Sequence, residues 1–153
     1  MAVAAAVIIT AAAMATAASR GKCTLTLSDE DSGQVYLELP VSDGERFSVT
    51  FIHSVNQTPV SDTYEVRGTD IYVVETRFYN FGAGMQTEYP EGVTYTYAED
   101  GAIVATGYNI LCRDLIYCVG KVSDHVLELG GEEYSLRELC GRGTLVRFGI
   151  EKE

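Results

Sequence analysis

The stretch FSVTFIHSV, residues 47–55, decides the fold because its side chains alternate between an apolar and a polar face. Such period-2 alternation is typical of a half-buried β-strand. The sequence NQTP at 56–59 then breaks the pattern, and Pro59 lacks the N–H that a central strand needs. The stretch therefore predicts a strand followed by a turn. The apolar face carries Phe47, Val49, Phe51, His53 and Val55.

A second extended run at 62–67 predicts the other half of a hairpin. If the chain folds back around Thr58 and Pro59, His53 lies opposite Glu65 on the same face. A carboxylate across from an imidazole raises the pKa of the imidazole. The simpler interpretation is a pair that holds the hairpin in register, and the alternative is a ligand-binding or catalytic pair.

The sequence FGAG at 81–84 ends the long β-prone run at 71–79. Glycines at 82 and 84 permit a tight turn, and the alternative is an anion-binding nest of backbone N–H groups. Ser54 follows His53 directly, so on a strand the two point to opposite faces and predict no catalytic pair. No metal site, cofactor or enzyme activity is expected. The candidate ligand-binding residues are His53, Ser54, Glu65, Arg77, Gly82 and Gly84.

These motifs resemble an uncharacterised domain-of-unknown-function family. Its members are small exported proteins often encoded beside TRAP transporters of the TAXI class. The resemblance rests on HSV at 53–55, PV at 59–60, YEV at 64–66, ETRF at 75–78 and FGAG at 81–84, and more weakly on HVLEL at 125–129. It implies export and partnership with a TAXI-type solute receptor or TRAP permease. It implies no chemical activity.

Residues 1–19 carry no charged side chain and end in small residues, which is typical of an export signal. A cleaved signal peptide is the first interpretation and an uncleaved membrane anchor the second, with a cytoplasmic alanine-rich helix third. We expect residues 1–20 to be this segment and residues 21–153 to be one domain. The protein is then periplasmic or lies at the outer face of the cytoplasmic membrane.

The chain after residue 20 reads as short strands separated by Gly, Asp and Asn turns. This pattern predicts an all-β antiparallel sandwich or small barrel. Residues 135–140 are expected to include one helical turn. The run at 108–119 fits strand or helix equally well.

The formal net charge is −11, from 11 basic and 22 acidic residues. An acidic surface argues against a nucleic-acid partner, which requires basic side chains. It also argues against contact with an anionic membrane surface, except through the N-terminal segment.

The chain contains four cysteines, and an even number in an exported protein predicts two disulfide bonds. Three connectivities are open, with a pair between Cys112 and Cys118 slightly favoured by its short spacing. Zinc is the alternative, although no Cys-x-x-Cys spacing occurs. The disulfide candidates are Cys23, Cys112, Cys118 and Cys140.

Three functions remain open from the sequence. The first is an accessory or interaction protein associated with a TRAP-type transporter. The second is a small-ligand-binding β-domain with a pocket near His53 and Glu65. The third is an enzyme, for which no nucleophile and base pair is visible.

Overall fold

The structure is a computed structural model that describes residues 23–80 and 92–152. This part of the chain forms eleven strands and one short helix. Their bounds are β1 (Cys23–Asp29), β2 (Val35–Val41), β3 (Arg46–Ile52), β4 (Pro59–Arg67), β5 (Asp70–Phe78), β6 (Thr94–Tyr97), β7 (Ile103–Leu111), β8 (Leu115–Cys118), β9 (His125–Leu129), β10 (Glu132–Ser135), α1 (Leu136–Cys140) and β11 (Leu145–Lys152).

The described strands pair antiparallel into two sheets, which confirms the all-β prediction. The small sheet has the order β2-β1-β11-β8, and the large sheet has the order β10-β9-β3-β4-β5-β7-β6. Neither sheet closes on itself, and side chains from both meet in one apolar core. Of the two expected architectures, sandwich or small barrel, the described residues therefore form the sandwich.

Phe47 joins the two layers at the centre of this core. Its ring stacks on Tyr64 of the large sheet at 5.1 Å between centroids and on Phe148 of the small sheet at 5.8 Å. All three rings are buried, as are Val49 and Leu127 on the neighbouring inner positions. The alternation of β3 places Phe47 and Val49 on the inner face, as the sequence predicts.

A second, smaller apolar cluster lies on the large sheet beside the first. It is formed by Val60, Phe78, Ile103 and Ala105, from strands β4, β5 and β7. Val73 packs against both clusters, so the apolar contacts continue across the inner face of the large sheet.

The ambiguous run at 108–119 resolves into strands. It contains the end of β7 and the whole of β8, so the chain leaves the large sheet here and enters the small one. The expected helical turn is α1, where the Ser135 hydroxyl accepts a hydrogen bond from the backbone N–H of Glu138. A capping serine of this kind stabilises the first helical turn.

The predicted register of the central hairpin is wrong. Ile52 pairs with Pro59 and Arg46 with Glu65, so β3 ends before His53 and the loop spans residues 53–58. The proline was expected in the turn, but it begins β4 instead. Glu65 lies six residue pairs from the loop, a distance of about 20 Å along the sheet. His53 and Glu65 therefore do not face each other.

The predicted disulfide bonds are absent, since Cys23, Cys112, Cys118 and Cys140 are all free thiols. Cys112 and Cys118 are close in sequence but do not come together in the fold. Cys112 follows β7 of the large sheet, whereas Cys118 ends β8 of the small sheet.

The N-terminal segment, residues 1–22, lies outside the described residues. The expectation of a signal peptide or anchor therefore stays a prediction. Within the part of the chain that the structure describes, no helix is both long and apolar enough to span a bilayer.

The corrected register predicts that His53 and Glu65 act independently on stability. In the combination of His53→Ala with Glu65→Gln, the changes in free energy of unfolding should add to within about 0.5 kcal/mol. As a control, Arg46→Gln combined with Glu65→Gln should couple by about 0.2–1 kcal/mol, because these side chains form a surface ion pair. Denaturant unfolding of the single and double variants measures both values. A larger coupling for His53 and Glu65 than for Arg46 and Glu65 would contradict this register.

Candidate interaction site at the loop end of the large sheet

Two loops meet at one end of the sandwich, and we call residues 53–58 and 119–124 the loop end. Phe51 pairs with His125 across β3 and β9, so the loops leave adjacent strands. The Ser123 hydroxyl donates a hydrogen bond to the backbone carbonyl of Ile52 at 3.2 Å. The HSV motif at 53–55 and the HVLEL motif at 125–129 therefore converge in space.

His53 organises the first of these loops through its own side chain. Its Nδ1 accepts hydrogen bonds from the backbone N–H groups of Val55 and Asn56, each at 3.3 Å. Its backbone N–H donates to the carbonyl of Thr58, and its carbonyl accepts from Gln57, which has a φ of 53°. His53 therefore has a structural role in closing this tight loop, and that role needs no carboxylate partner.

The second loop, residues 119–124, is held by hydrogen bonds to the side chains of His125 and Arg137. The Nδ1 of His125 accepts a hydrogen bond from the N–H of Gly120 at 3.1 Å. The Arg137 guanidinium donates to the carbonyl of Val122 at 2.8 Å. A Cβ at Gly120 would lie 2.0 Å from the carbonyl oxygen of Ser123, so only glycine fits this turn.

Asp124 fastens the same loop to α1. One carboxylate oxygen accepts from the N–H of His125 at 2.7 Å and from the N–H of Arg137 at 3.0 Å. The other accepts from the Ser135 hydroxyl at 2.5 Å. These bonds fix the conformation of the loop.

The loop end exposes apolar side chains. The exposed fractions are 94% for Val122, 65% for Val55 and 38% for Ile52. Lys121 lies beside Val122 in the same loop, and its side chain packs over Gly143 and forms no ion pair with any described residue. A fixed apolar tip beside a lysine that has no carboxylate partner in the described part of the chain differs from the acidic character of the chain as a whole.

His125 connects the loop end to an aromatic cluster between the sheets. Its ring stacks on Phe51 at 5.1 Å and meets Tyr117 edge-on at 5.5 Å. Burial lowers its pKa, and Asp124 partly opposes this effect. The ring is therefore neutral at pH 7, as the hydrogen bond that Nδ1 accepts also requires.

A buried carboxyl group lies beyond this cluster, on the inner face of β4. The carboxylate of Asp62 accepts hydrogen bonds from the hydroxyls of Thr76 at 2.7 Å and Tyr117 at 3.4 Å. The hydroxyls of Tyr117 and Tyr64 lie 2.6 Å apart. Burial raises the pKa of Asp62, and the two hydrogen bonds only partly offset this effect.

The residues predicted as a ligand site are not brought together. Ser54 is exposed within the loop end beside His53, whereas Glu65 accepts from Arg67 and Arg46, which lower the pKa of its carboxyl group. Arg77 pairs with Asp100 at 2.7 Å, near the turn before β7. Gly82 and Gly84 lie outside the described residues.

A shallow depression lies on the outer face of the large sheet near Glu65, far from the loop end. It encloses about 220 Å³. The depression is lined by Arg46, Phe47, Ser48, Thr63, Glu128 and Gly130.

Among the described residues, no group of three or more Cys, His, Asp or Glu side chains is placed to hold a metal ion.

The sequence reasoning missed Asp62, Tyr117 and the loop at 119–124. Asp62 could have been found from the alternation of Val60, Tyr64 and Val66, which places position 62 on the inner face. Nothing in the sequence indicated that Tyr117, on a strand of the other sheet, would meet it.

Fold and site together define an antiparallel β-sandwich with a preformed, apolar loop end. The model of a family described as a domain of unknown function, DUF1850, matches residues 47–136, more than half of the chain. The chain belongs to this family. No curated protein and no solved structure matches the chain.

The neutral state of His125 makes the loop end sensitive to acid. Because burial lowers the folded-state pKa of His125 below 6.5, its contribution to stability is present above pH 6.5 and is lost as pH falls through the folded value. The wild type should therefore lose more unfolding free energy between pH 6.5 and 4.5 than His125→Asn, whose side-chain oxygen accepts the Gly120 hydrogen bond without titrating.

Unfolding curves across this pH range, with an NMR titration of the His125 ring, measure the effect. The titration midpoint should lie below 6.5. A midpoint above 6.5, or the same pH dependence in both proteins, would contradict the neutral imidazole.

Proposed function

We propose that this DUF1850 domain is an extracytoplasmic interaction protein of a TRAP-type transporter, and that its loop end is the contact surface. The observation that carries the proposal is the exposed Val122 on a loop whose backbone is held by His125, Arg137 and Asp124. Exposed apolar side chains grouped on a rigid support are typical of protein-binding surfaces.

The family resemblance supports a TRAP-type transporter as the partner. The charge at the site supports a partner surface that carries acidic side chains. Lys121 lies beside Val122 in the same loop and has no carboxylate partner among the described residues. It fits a partner surface that combines apolar and acidic side chains, because complementary charges steer association.

The position of β1 favours the soluble TAXI-type receptor over the membrane permease. Cys23 begins β1 at the opposite end of the sandwich, where its thiol lies 3.6 Å from the carbonyl of Gly68 in the β4–β5 turn. If residues 1–20 remain in the membrane as an anchor, the loop end points away from the bilayer. The receptor, which moves freely outside the membrane, is then within reach.

Removing the apolar tip should weaken binding to the purified receptor encoded with the transporter. Val122→Ser combined with Val55→Ser should raise the dissociation constant by about tenfold or more, as for other exposed binding residues. Ile110→Ser is the matched control. Ile110 is 42% exposed at the end of β7 that lies near the β4–β5 turn. Biolayer interferometry with immobilised receptor, and with the permease in mild detergent, measures each variant.

The proposal requires that the control binds like the wild type and that thermal unfolding of all variants is unchanged. Wild-type protein that binds neither receptor nor permease at micromolar concentration would overturn the transporter partnership. Equal loss of affinity in Ile110→Ser would overturn the assignment of the loop end.

A further inference from the structure

The chain has two histidines, and both hold a loop of the loop end by the same kind of contact. The Nδ1 of His53 accepts hydrogen bonds from the backbone N–H groups of Val55 and Asn56 at 3.3 Å. The Nδ1 of His125 accepts from the backbone N–H of Gly120 at 3.1 Å. A ring nitrogen accepts a hydrogen bond only while it carries no proton. The closed form of each loop therefore requires that Nδ1 is unprotonated.

Protonation replaces each of these acceptors with a donor. Histidine is the side chain whose charge ordinarily changes between pH 5 and 8. With a proton on Nδ1, the ring N–H and the backbone N–H face each other, and neither has an acceptor until the loop moves away. In the loop at 53–58, His53 is the only titratable side chain. Neither histidine forms an ion pair with a carboxylate among the described residues.

The groups that face His125 offer its proton no vacant partner. The carboxylate of Asp124 already accepts from two backbone N–H groups and a hydroxyl. Burial lowers the pKa of His125, Asp124 opposes this effect, and the Arg137 guanidinium on α1 adds to it. The ring also contacts Phe51 of β3 and the titratable Tyr117 of β8. A proton on His125 would thus place two cations beside one loop.

Contacts at both ends of the second loop confine its opening to residues 120–123. Val119 is fully buried, and its N–H donates to the carbonyl of Thr144 at 2.9 Å. At the other end, Asp124 is fixed by the backbone of α1 and β9. The segment between these two positions carries Val122, which is 94% exposed. Opening therefore displaces the apolar tip and leaves the strands in place.

We propose that acid releases the partner from the loop end, because protonation of His53 and His125 opens the two loops that form this surface. With both imidazoles neutral, the loops are closed and present Val55 and Val122 together. In acid, both loops lose the acceptors that hold them, and the fraction of binding-competent protein falls. The release of a partner rests on the function proposed above, whereas the opening of the loops is a property of the free protein.

The free protein gives the first test, because it needs no partner. Heteronuclear NOE values of the backbone amides at 54–57 and 120–123 should fall when the pH is lowered from 7.5 to 4.5, since released loops move on the nanosecond timescale. Amides of Val49 and Leu127 in the core should keep their values, which shows that the domain stays folded.

Two single variants serve as controls for each other in this measurement. His53→Asn should keep the loop at 53–58 closed in acid while the other loop opens. His125→Asn should keep the loop at 119–124 closed while the first loop opens. An asparagine side-chain oxygen accepts the same hydrogen bonds but does not titrate.

Binding of the purified TAXI-type receptor gives the second test. The dissociation constant of the wild type should rise by about tenfold or more between pH 7.5 and 4.5, because apparent affinity falls with the competent fraction. The double variant, His53→Asn with His125→Asn, should show a much smaller rise. It also controls for the carboxylates of the receptor, which titrate equally with both proteins.

Unchanged NOE values in the wild-type loops at pH 4.5 would overturn the acid-driven opening, whatever the receptor does. Equal rises of the dissociation constant in the wild type and the double variant would overturn the assignment to the two histidines. Loops that open in acid, together with a receptor that binds at neither pH, would support the opening and overturn the transporter partnership.

Discussion

The packing of Phe47 between Tyr64 and Phe148 is the contact on which the rest of the structure depends. It joins the large sheet to the small one and fixes which face of β3 points inward. Because side chains alternate along a strand, Phe51 then lies on the same inner face, opposite His125 on β9. A shift of β3 by one residue would bury Ser48 and Thr50 instead and would separate Phe51 from the aromatic cluster.

Two polar side chains, those of Asp62 and His125, lie in this otherwise apolar core, and both are near the loop end. Asp62 places a carboxyl group between apolar clusters, and His125 is held neutral to receive the Gly120 N–H. Natural sequences are locally consistent with their fold. Exceptions of this kind are therefore expected mainly at functional or strained sites. The exposed Val122, on a loop fastened by its backbone, is the third exception.

The strands were largely predictable from sequence, because alternation and turn residues are local signals. Alternation such as that of Phe47 and Val49, together with Gly, Asp and Asn turns, sufficed to predict an all-β sandwich or small barrel. The register of β3 and β4 was not predictable in the same way, since it depends on the length of a loop that His53 closes through its own side chain. Pro59 suggested a turn, yet it begins a strand.

The candidate site was less predictable because it is assembled from distant parts of the chain. The sequence contains the motifs at 53–55 and 125–129, but only the pairing of Phe51 with His125 shows that they meet. Hydrogen–deuterium exchange of the protein with and without the purified TAXI-type receptor tests most directly whether that meeting place is the functional surface. Binding at the loop end predicts slower exchange at 53–58 and 119–124, with no change at the β4–β5 turn. Protection confined to that turn, or no protection anywhere, would contradict it.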